Sequence, residues 1–261
     1  MQQFSTNMTL FDAIILGIIQ GITEFLPISS SGHLVLVQVL LGVNSPGNVV
    51  EVVTHLGTLL SVIWVFWKDL SSILISFQNQ DTQKYILFLI MGTLPAVIIG
   101  LAARDMITDL FDSIPMVAGS LIFTGIILLL TQKLNRNNKK LNLKKGLLIG
   151  LTQAFAMIPG ISRSGMTIST GLALGLSGKD AAKFSFLLAI PVIAGAGLLT
   201  ALDTQAGSIS IPMLQLLLAF FSAFIVGTIS LKWLLGLLES GKFHRFGYYC
   251  IMVGLITYLV I

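Results

Sequence analysis

Six stretches of this chain are apolar, nearly free of charge and about as long as a bilayer is thick, and no other feature limits the possible fold so strongly. They lie at about 49–67, 85–103, 113–131, 183–202, 211–235 and 246–261. Hydrocarbon offers no partner to a backbone N–H or C=O, so segments of ~20 such residues cross it as α-helices whose peptide groups satisfy one another. Composition agrees. The 261 residues include 15 Lys+Arg and 11 Asp+Glu, 10% charged in all, where a soluble domain carries about 25%. A water-facing globule is excluded, and with 55% hydrophobic residues so is intrinsic disorder. One cysteine, Cys250, excludes a disulfide scaffold. The net charge of +4 is spread over too few basic residues for a nucleic-acid binder. No Lys or Arg precedes Lys68, so no cleavable signal peptide is expected.

Two further apolar regions are interrupted. Region 10–41 is broken by Pro27-Ile28-Ser29-Ser30-Ser31-Gly32-His33, and region 146–176 by Pro159-Gly160-Ile161-Ser162-Arg163-Ser164-Gly165. The second halves, about 34–41 and 166–176, are too short to cross. Irregular backbone at membrane depth is tolerated only inside protein or along a wet cavity, so both regions read as re-entrant helix–break–helix hairpins.

The two regions match each other at a constant offset of 133 residues: Gly17 with Gly150, Gln20 with Gln153, Ser29 with Ser162, Ser31 with Ser164 and Gly32 with Gly165. The expectation is an all-α polytopic membrane protein made as one membrane domain. Repeat one covers about 8–131 and repeat two about 144–261, joined by a basic cytoplasmic loop at 132–145. Each copy is a hairpin plus three spans, which leaves the second copy inverted and points to a midplane site at the broken segments. With the N-terminus outside, thirteen of the 15 basic residues fall on one side, Arg104 alone on the other, and Arg163 within a break. The positive-inside rule makes the thirteen-residue side cytoplasmic.

The chemistry concentrates in the breaks. Gln20 and Glu24 are four apart and share a helix face. A carboxyl in an apolar segment is costly unless paired or hydrated, and marks a functional site by default; interhelical hydrogen bonds or a bridging arginine would also satisfy it. Of Ser29, Ser30 and Ser31, one is expected to cap the helix after Pro27. The others suit an anion site at a helix N-terminus or a nucleophile. His33 reads either as a packing histidine or as an acid–base or phosphate-binding group. In the second break, Arg163 needs a carboxylate or an anion, and its planar fork fits phosphate oxygens. Ser162, Ser164, Gly165 and Thr167 around it would complete an anion cradle. The alternative is a structural Arg163–Glu24 pair joining the hairpins. Glu51 and His55, four apart at the start of the first span, read as a solvated helix-end pair or as contributors to the site. No phosphate-loop fingerprint and no zinc spacing of Cys and His is present.

Gln20-xxx-Glu24 running into Phe25-Leu26-Pro27-Ile28-Ser29-Ser30-Ser31-Gly32-His33, with Pro159-Gly160-Ile161-Ser162-Arg163-Ser164-Gly165 later, resembles the bacitracin-resistance type undecaprenyl-diphosphate phosphatases, over essentially the whole chain. Glu51-Val52-Val53-Thr54-His55-Leu56-Gly57-Thr58 and Lys183-Phe184-Ser185-Phe186-Leu187 fit the same resemblance. It implies an acid anhydride hydrolase of the bacterial cytoplasmic (inner) membrane with an outward-facing site. That enzyme removes the terminal phosphate of the polyprenyl lipid undecaprenyl diphosphate. It thereby recycles the carrier for peptidoglycan synthesis and confers bacitracin resistance through the shared lipid. It implies Glu24, Ser30, His33 and Arg163 as catalytic residues, with Arg163, Ser29, Ser31, Ser162, Ser164, Gly165 and Thr167 on the diphosphate. It also implies a divalent metal, magnesium or calcium, bound with the substrate, and leaves a homodimer open. Gln20 stands where the family accepts Glu or Gln, so a two-carboxylate metal site is not expected; Glu24 with the substrate's own oxygens would suffice. Ser30 or a water would attack, with Glu24 or His33 moving the proton. The rival function is a lipid flippase or secondary transporter, since the inverted-repeat architecture suits either.

Overall fold

The computed structural model describes residues 8–43, 49–103, 106–107, 110, 113–134, 138–203 and 211–260. Arg104, residues 135–137 of the basic loop and Ile261 at the end of the last expected span lie outside the described residues. Those described fold into eleven α-helices and two 3₁₀ turns: α1 (Leu10–Thr23), α2 (Ser30–Leu41), α3 (Val49–Val65), α4 (Trp67–Ile75), α5 (Gln80–Ala102), α6 (Ile114–Leu130), α7 (Leu143–Phe155), α8 (Arg163–Ala173), α9 (Gly178–Asp203), α10 (Met213–Glu239) and α11 (Phe246–Val260).

Four helices are long and apolar enough to cross a membrane: α5, α6 with the 3₁₀ turn after it, α9 and α10. The expected spans at 85–103, 113–131, 183–202 and 211–235 are these helices. The remaining two differ. The span expected at 49–67 is α3, but the chain continues into α4 after a bend of 67°. The bend sits at Phe66, whose backbone leaves the helical region while its ring is buried against Phe186, 6.2 Å between centroids. Asp69 on α4 is ion-paired with Lys183 on α9, which holds the bent helix in place. The span expected at 246–261 is α11, a helix of 15 residues entered through the 3₁₀ turn Phe243–Arg245. At 1.5 Å per residue it is about 23 Å long, shorter than the ~30 Å hydrocarbon layer.

Both interrupted regions are helix–break–helix units. α1 and α2 have 14 and 12 residues, α7 and α8 have 13 and 11, and the two halves of each unit pack on one another. No half exceeds about 21 Å. Local chemistry stops and restarts each helix. α1 opens with a capping box in which Thr9 Oγ1 accepts from Asp12 N and Asp12 Oδ2 accepts from Thr9 N. α2 restarts on Ser29, whose Oγ accepts from Gly32 N at 3.3 Å, and α8 on Ser162, whose Oγ accepts from Gly165 N at 3.1 Å. In the second break Gly160 has φ +85°, and a Cβ there would lie 2.4 Å from the Val117 carbonyl oxygen, so only glycine fits.

Packing follows the sequence offset. α7, α8 and α10 begin 133 residues after α1, α2 and α5. α1 packs on α10 and α7 on α5; α3 packs on α10 and α9 on α5; and α3 meets α9 as α6 meets α11. Exchanging each helix for its counterpart maps these contacts onto one another. The contacts are close because small residues line them: a Cβ on Gly150 of α7 would sit 2.0 Å from the Gly92 carbonyl oxygen of α5. The first break is embedded in the main core, where Phe25, Leu26 and Ile28 are buried and Phe25 meets Phe186 edge-on at 5.6 Å. Large apolar side chains such as Trp64, Ile98, Phe221 and Ile229 cover the outer surface, as a lipid-facing exterior requires.

Gly150→Ala should lower stability in detergent by about 3 kcal/mol or more, because backbone on both sides blocks relief of the clash. Gly236→Ala, with open space around the new Cβ, should melt as the parent does. Equal melting of the two variants would contradict the close α5–α7 contact.

Candidate active site

Glu24 caps the C-terminal end of α1, where a carboxylate gains nothing from the helix dipole, and it is 7% exposed. Donors converge on both of its oxygens. Oε2 accepts from Ser30 Oγ at 2.7 Å and from Gln20 Nε2 at 3.1 Å, and His55 Nε2 stands 3.5 Å away. Oε1 accepts from Arg163 Nη2 in a tight ion pair. Ser30 and Arg163 are the first residues of α2 and α8 and lie 133 residues apart. Equivalent positions of the two broken units therefore grip one carboxylate. The position equivalent to Glu24 is Met157, so the pair of hairpins builds one site rather than two.

The site opens on a cavity of about 340 Å³, whose polar wall includes Glu24, Ser30, Ser31, Glu51, His55, Ser162 and Arg163. Arg163 Nη1 is buried without a partner among the described residues. Half of the guanidinium fork is thus held by Glu24, and the other half is an uncommitted, desolvated donor pair. Ser29 at the tip of the first break has φ +68°, a left-handed conformation costing a non-glycine residue about 1 kcal/mol or more. Strain of this kind persists where surrounding contacts overdetermine it, here the Ser29 Oγ cap and the His33 N–H donated to Ser29 O at 3.2 Å.

The structure thus brings together Glu24, Ser30, Arg163 and Gln20, and adds Glu51 and His55, which the sequence allowed to be a mere helix-end pair. Ser31 and Ser162 reach the cavity wall. Ser29 and Ser162 are the helix caps. Ser164, Gly165 and Thr167 stand behind the site. Ser164 Oγ donates to the Leu26 carbonyl at 3.4 Å, tying one break to the other. The Gly165 N–H is spent on the Ser162 cap. Thr167 Oγ1 donates to the Arg163 carbonyl at 2.8 Å and bonds Ser185 Oγ at 2.6 Å. His33 is elsewhere: it is absent from the cavity wall, its Nδ1 donates to the Ser29 carbonyl at 2.8 Å, and its Nε2 bonds Tyr249 Oη at 2.9 Å.

Sequence reasoning missed three supports: Tyr249 behind His33, Ser185 behind Thr167, and Thr124, which accepts from Ser162 N at 3.1 Å and donates to the Gly160 carbonyl at 3.4 Å. Ser185 falls in a stretch already quoted for its family resemblance. Thr124 and Tyr249 lie in apolar helices that also hold Ser120, Tyr248, Thr257 and Tyr258, and nothing local sets them apart. A protein-held metal does not fit these residues: no cluster of three His, Cys, Asp or Glu exists among the described residues, and both Glu24 oxygens are taken by donors, one of them a cation.

Comparison with known proteins agrees with this geometry. The family model described as bacitracin resistance protein BacA matches residues 13–256. A protein of Halothermothrix orenii named undecaprenyl-diphosphatase is 40% identical over 97% of this chain and 98% of its own length. Proteins of the same name from Desulfosudis oleivorans and Korarchaeum cryptofilum are 41% and 39% identical, covering 94% and 95% of this chain and 96% and 98% of their own. A match of this length and evenness, spanning both broken hairpins and all the site residues, means that the chain belongs to the bacitracin resistance protein BacA family.

Proposed function

We propose that this chain is a membrane hydrolase that converts undecaprenyl diphosphate to undecaprenyl phosphate and inorganic phosphate, returning the lipid carrier to peptidoglycan synthesis. Bacitracin resistance follows indirectly, since that antibiotic acts on the same lipid. The observation that carries the reading is the Ser30 hydroxyl bonded at 2.7 Å to a carboxylate whose other oxygen holds Arg163, all facing one cavity.

The chemistry follows from that arrangement. Arg163 exchanges Glu24 for the substrate's phosphate oxygens, using the unpartnered Nη1 as well, and stabilises the charge that grows in the transition state. Ser30 Oγ bonds to the terminal phosphorus while the bond from phosphorus to the bridging oxygen breaks, and the electron pair leaves on undecaprenyl phosphate. Glu24, released from the arginine, takes the serine proton at Oε2. Water then attacks the phosphoserine, and inorganic phosphate leaves. Magnesium or calcium would have to come with the diphosphate's own oxygens and would neutralise charge there, since no cluster among the described residues would hold it.

The lipid tail has a matching space. A second cavity of about 440 Å³, lined by apolar residues of α5 and α9 including Val97, Leu101, Leu198 and Leu199, shares Ile107, Met157, Val192, Ala196 and Thr200 with the polar one. A polar head and an apolar tail are thereby accommodated side by side, as an amphiphile requires. The asymmetry of the basic residues supports an outward-facing site in the cytoplasmic membrane with the N-terminus outside, and the recurrence of helices and contacts at the 133-residue offset supports the inverted repeat. A transporter needs a cation for its anionic cargo. It has no use for a hydroxyl docked on a carboxylate, which favours hydrolysis over the flippase reading.

Purified protein should release phosphate from a polyprenyl diphosphate, and Ser30→Ala should lower turnover by on the order of 10³-fold with the fold intact. Rapid quench should trap a phosphorylated Ser30; a Ser30→Ala protein with near-parental turnover would contradict the serine route. Gly195 lines the apolar cavity with open space at its Cβ position, so Gly195→Leu fits the fold while filling the groove. KM should rise by about 10-fold on a long-chain substrate and less as the chain shortens; equal effects on all chain lengths would remove the tail from this groove.

A further inference from the structure

The phosphatase reading leaves open what delivers a proton to the departing phosphate, and the geometry points to His55. The argument rests on that reading. Of the chain's three histidines, His33 is held by Ser29 and Tyr249, away from the cavity, and His244 lies in the 3₁₀ turn before α11. His55 alone lines the cavity. Its Nδ1 is 2.7 Å from the Glu51 backbone oxygen. A carbonyl only accepts, so Nδ1 carries the hydrogen and the tautomer is fixed. Nε2 is then the working atom. It stands 3.5 Å from Glu24 Oε2, the same oxygen that accepts the Ser30 hydroxyl, while the ring is 30% exposed to the cavity. Catalytic contacts of this length commonly tighten when substrate fills the site. The carboxylate therefore divides its work: Oε1 faces the cation Arg163, and Oε2 lies between a hydroxyl and an imidazole.

We propose that Glu24 and His55 hold one shared proton and act as a relay, with His55 as the catalytic residue at the leaving group. As Ser30 Oγ bonds to phosphorus, its proton passes to Glu24 Oε2. As the bond to the bridging oxygen breaks, that oxygen keeps the electron pair and takes the proton from His55 Nε2. The pair then holds its proton at Oε2, and Nε2 is free to accept. In the second half-reaction water occupies the leaving group's place. It gives a proton to Nε2 as it bonds to phosphorus, and Oε2 returns one to Ser30 Oγ as the serine is released. The pair ends each half-reaction with the proton it began with. Glu51, whose backbone fixes the ring, also lines the cavity and is the other titratable neighbour of His55.

Phosphate release from a polyprenyl diphosphate by parent, His55→Ala and His55→Gln proteins, each checked for folding by melting in detergent, tests this assignment. Folded His55→Ala should lose about 100-fold or more in kcat, and added imidazole should restore turnover in proportion to its concentration. His55→Gln should lose kcat with little change in KM. A folded His55→Ala within about threefold of the parent, a margin far below that of a general acid, would overturn the proposal. So would an impaired variant that imidazole leaves unchanged, because a packing residue gives no chemical rescue. A parent protein that releases no phosphate would overturn the phosphatase reading, and the relay with it; the parent arm therefore separates the two failures.

Discussion

The ion pair between Glu24 and Arg163 is the constraint on which the rest of the structure depends. Each charge comes from a different broken helix, and each is buried or nearly so, with side-chain exposures of 5% and 18%. Either alone would be costly at membrane depth, and removing one partner of such a pair typically costs about 3–5 kcal/mol. The pair obliges the two hairpins to meet tip to tip. Everything that shapes the tips serves that meeting: the Ser29 and Ser162 caps, the left-handed Ser29 and Gly160, and the Ser164 hydroxyl on the Leu26 carbonyl. It also leaves a usable imbalance. One carboxylate is shared among an arginine, a serine, a glutamine and a histidine, so an incoming anion that draws the arginine away leaves the carboxylate free to act as a base toward the serine.

Helices recur at a 133-residue offset, yet the site occurs once. Ser30 and Arg163 occupy equivalent positions, yet one is a hydroxyl and the other a cation, and the residue they grip has only methionine as its counterpart. The recurring helices provide the scaffold, and differences at two pairs of positions 133 apart, Ser30 with Arg163 and Glu24 with Met157, provide the chemistry. Met157, the counterpart of Glu24, borders both the polar and the apolar cavity. Residues 133 apart thus contribute opposite characters to adjoining cavities.

Much of this was legible in the sequence because it depends on local chemistry or on exact spacing. Charge-free runs read as spans, Pro-Ser-Gly interruptions as breaks, and the 133-residue offset as corresponding elements. Glu24 and Arg163 stand out because an apolar segment tolerates no idle charge. What escaped depends on contacts between distant residues. His33 reads from its nine-residue distance to Glu24 as either a packing or an acid–base residue, and nothing local signals that its ring bonds Tyr249, 216 residues away. His55 reads as a helix-end residue or a contributor to the site, and nothing local says that α3 delivers it to the tip of α1. The bend at Phe66 goes with an aromatic packed on α9, and the apolar cavity is lined by residues of both α5 and α9. Neither leaves a pattern in its own segment.

The central claim, that one buried ion pair across the two breaks organises the site, is tested most directly by a double-mutant cycle on stability in detergent. Glu24→Gln, Arg163→Met and the combined variant would be melted beside the parent. Arg163→Met should be strongly destabilised because it strands a buried carboxylate, and the double variant should recover at least about 1 kcal/mol relative to the sum of the singles. Strictly additive losses would mean that the two charges do not depend on one another, and would contradict the account.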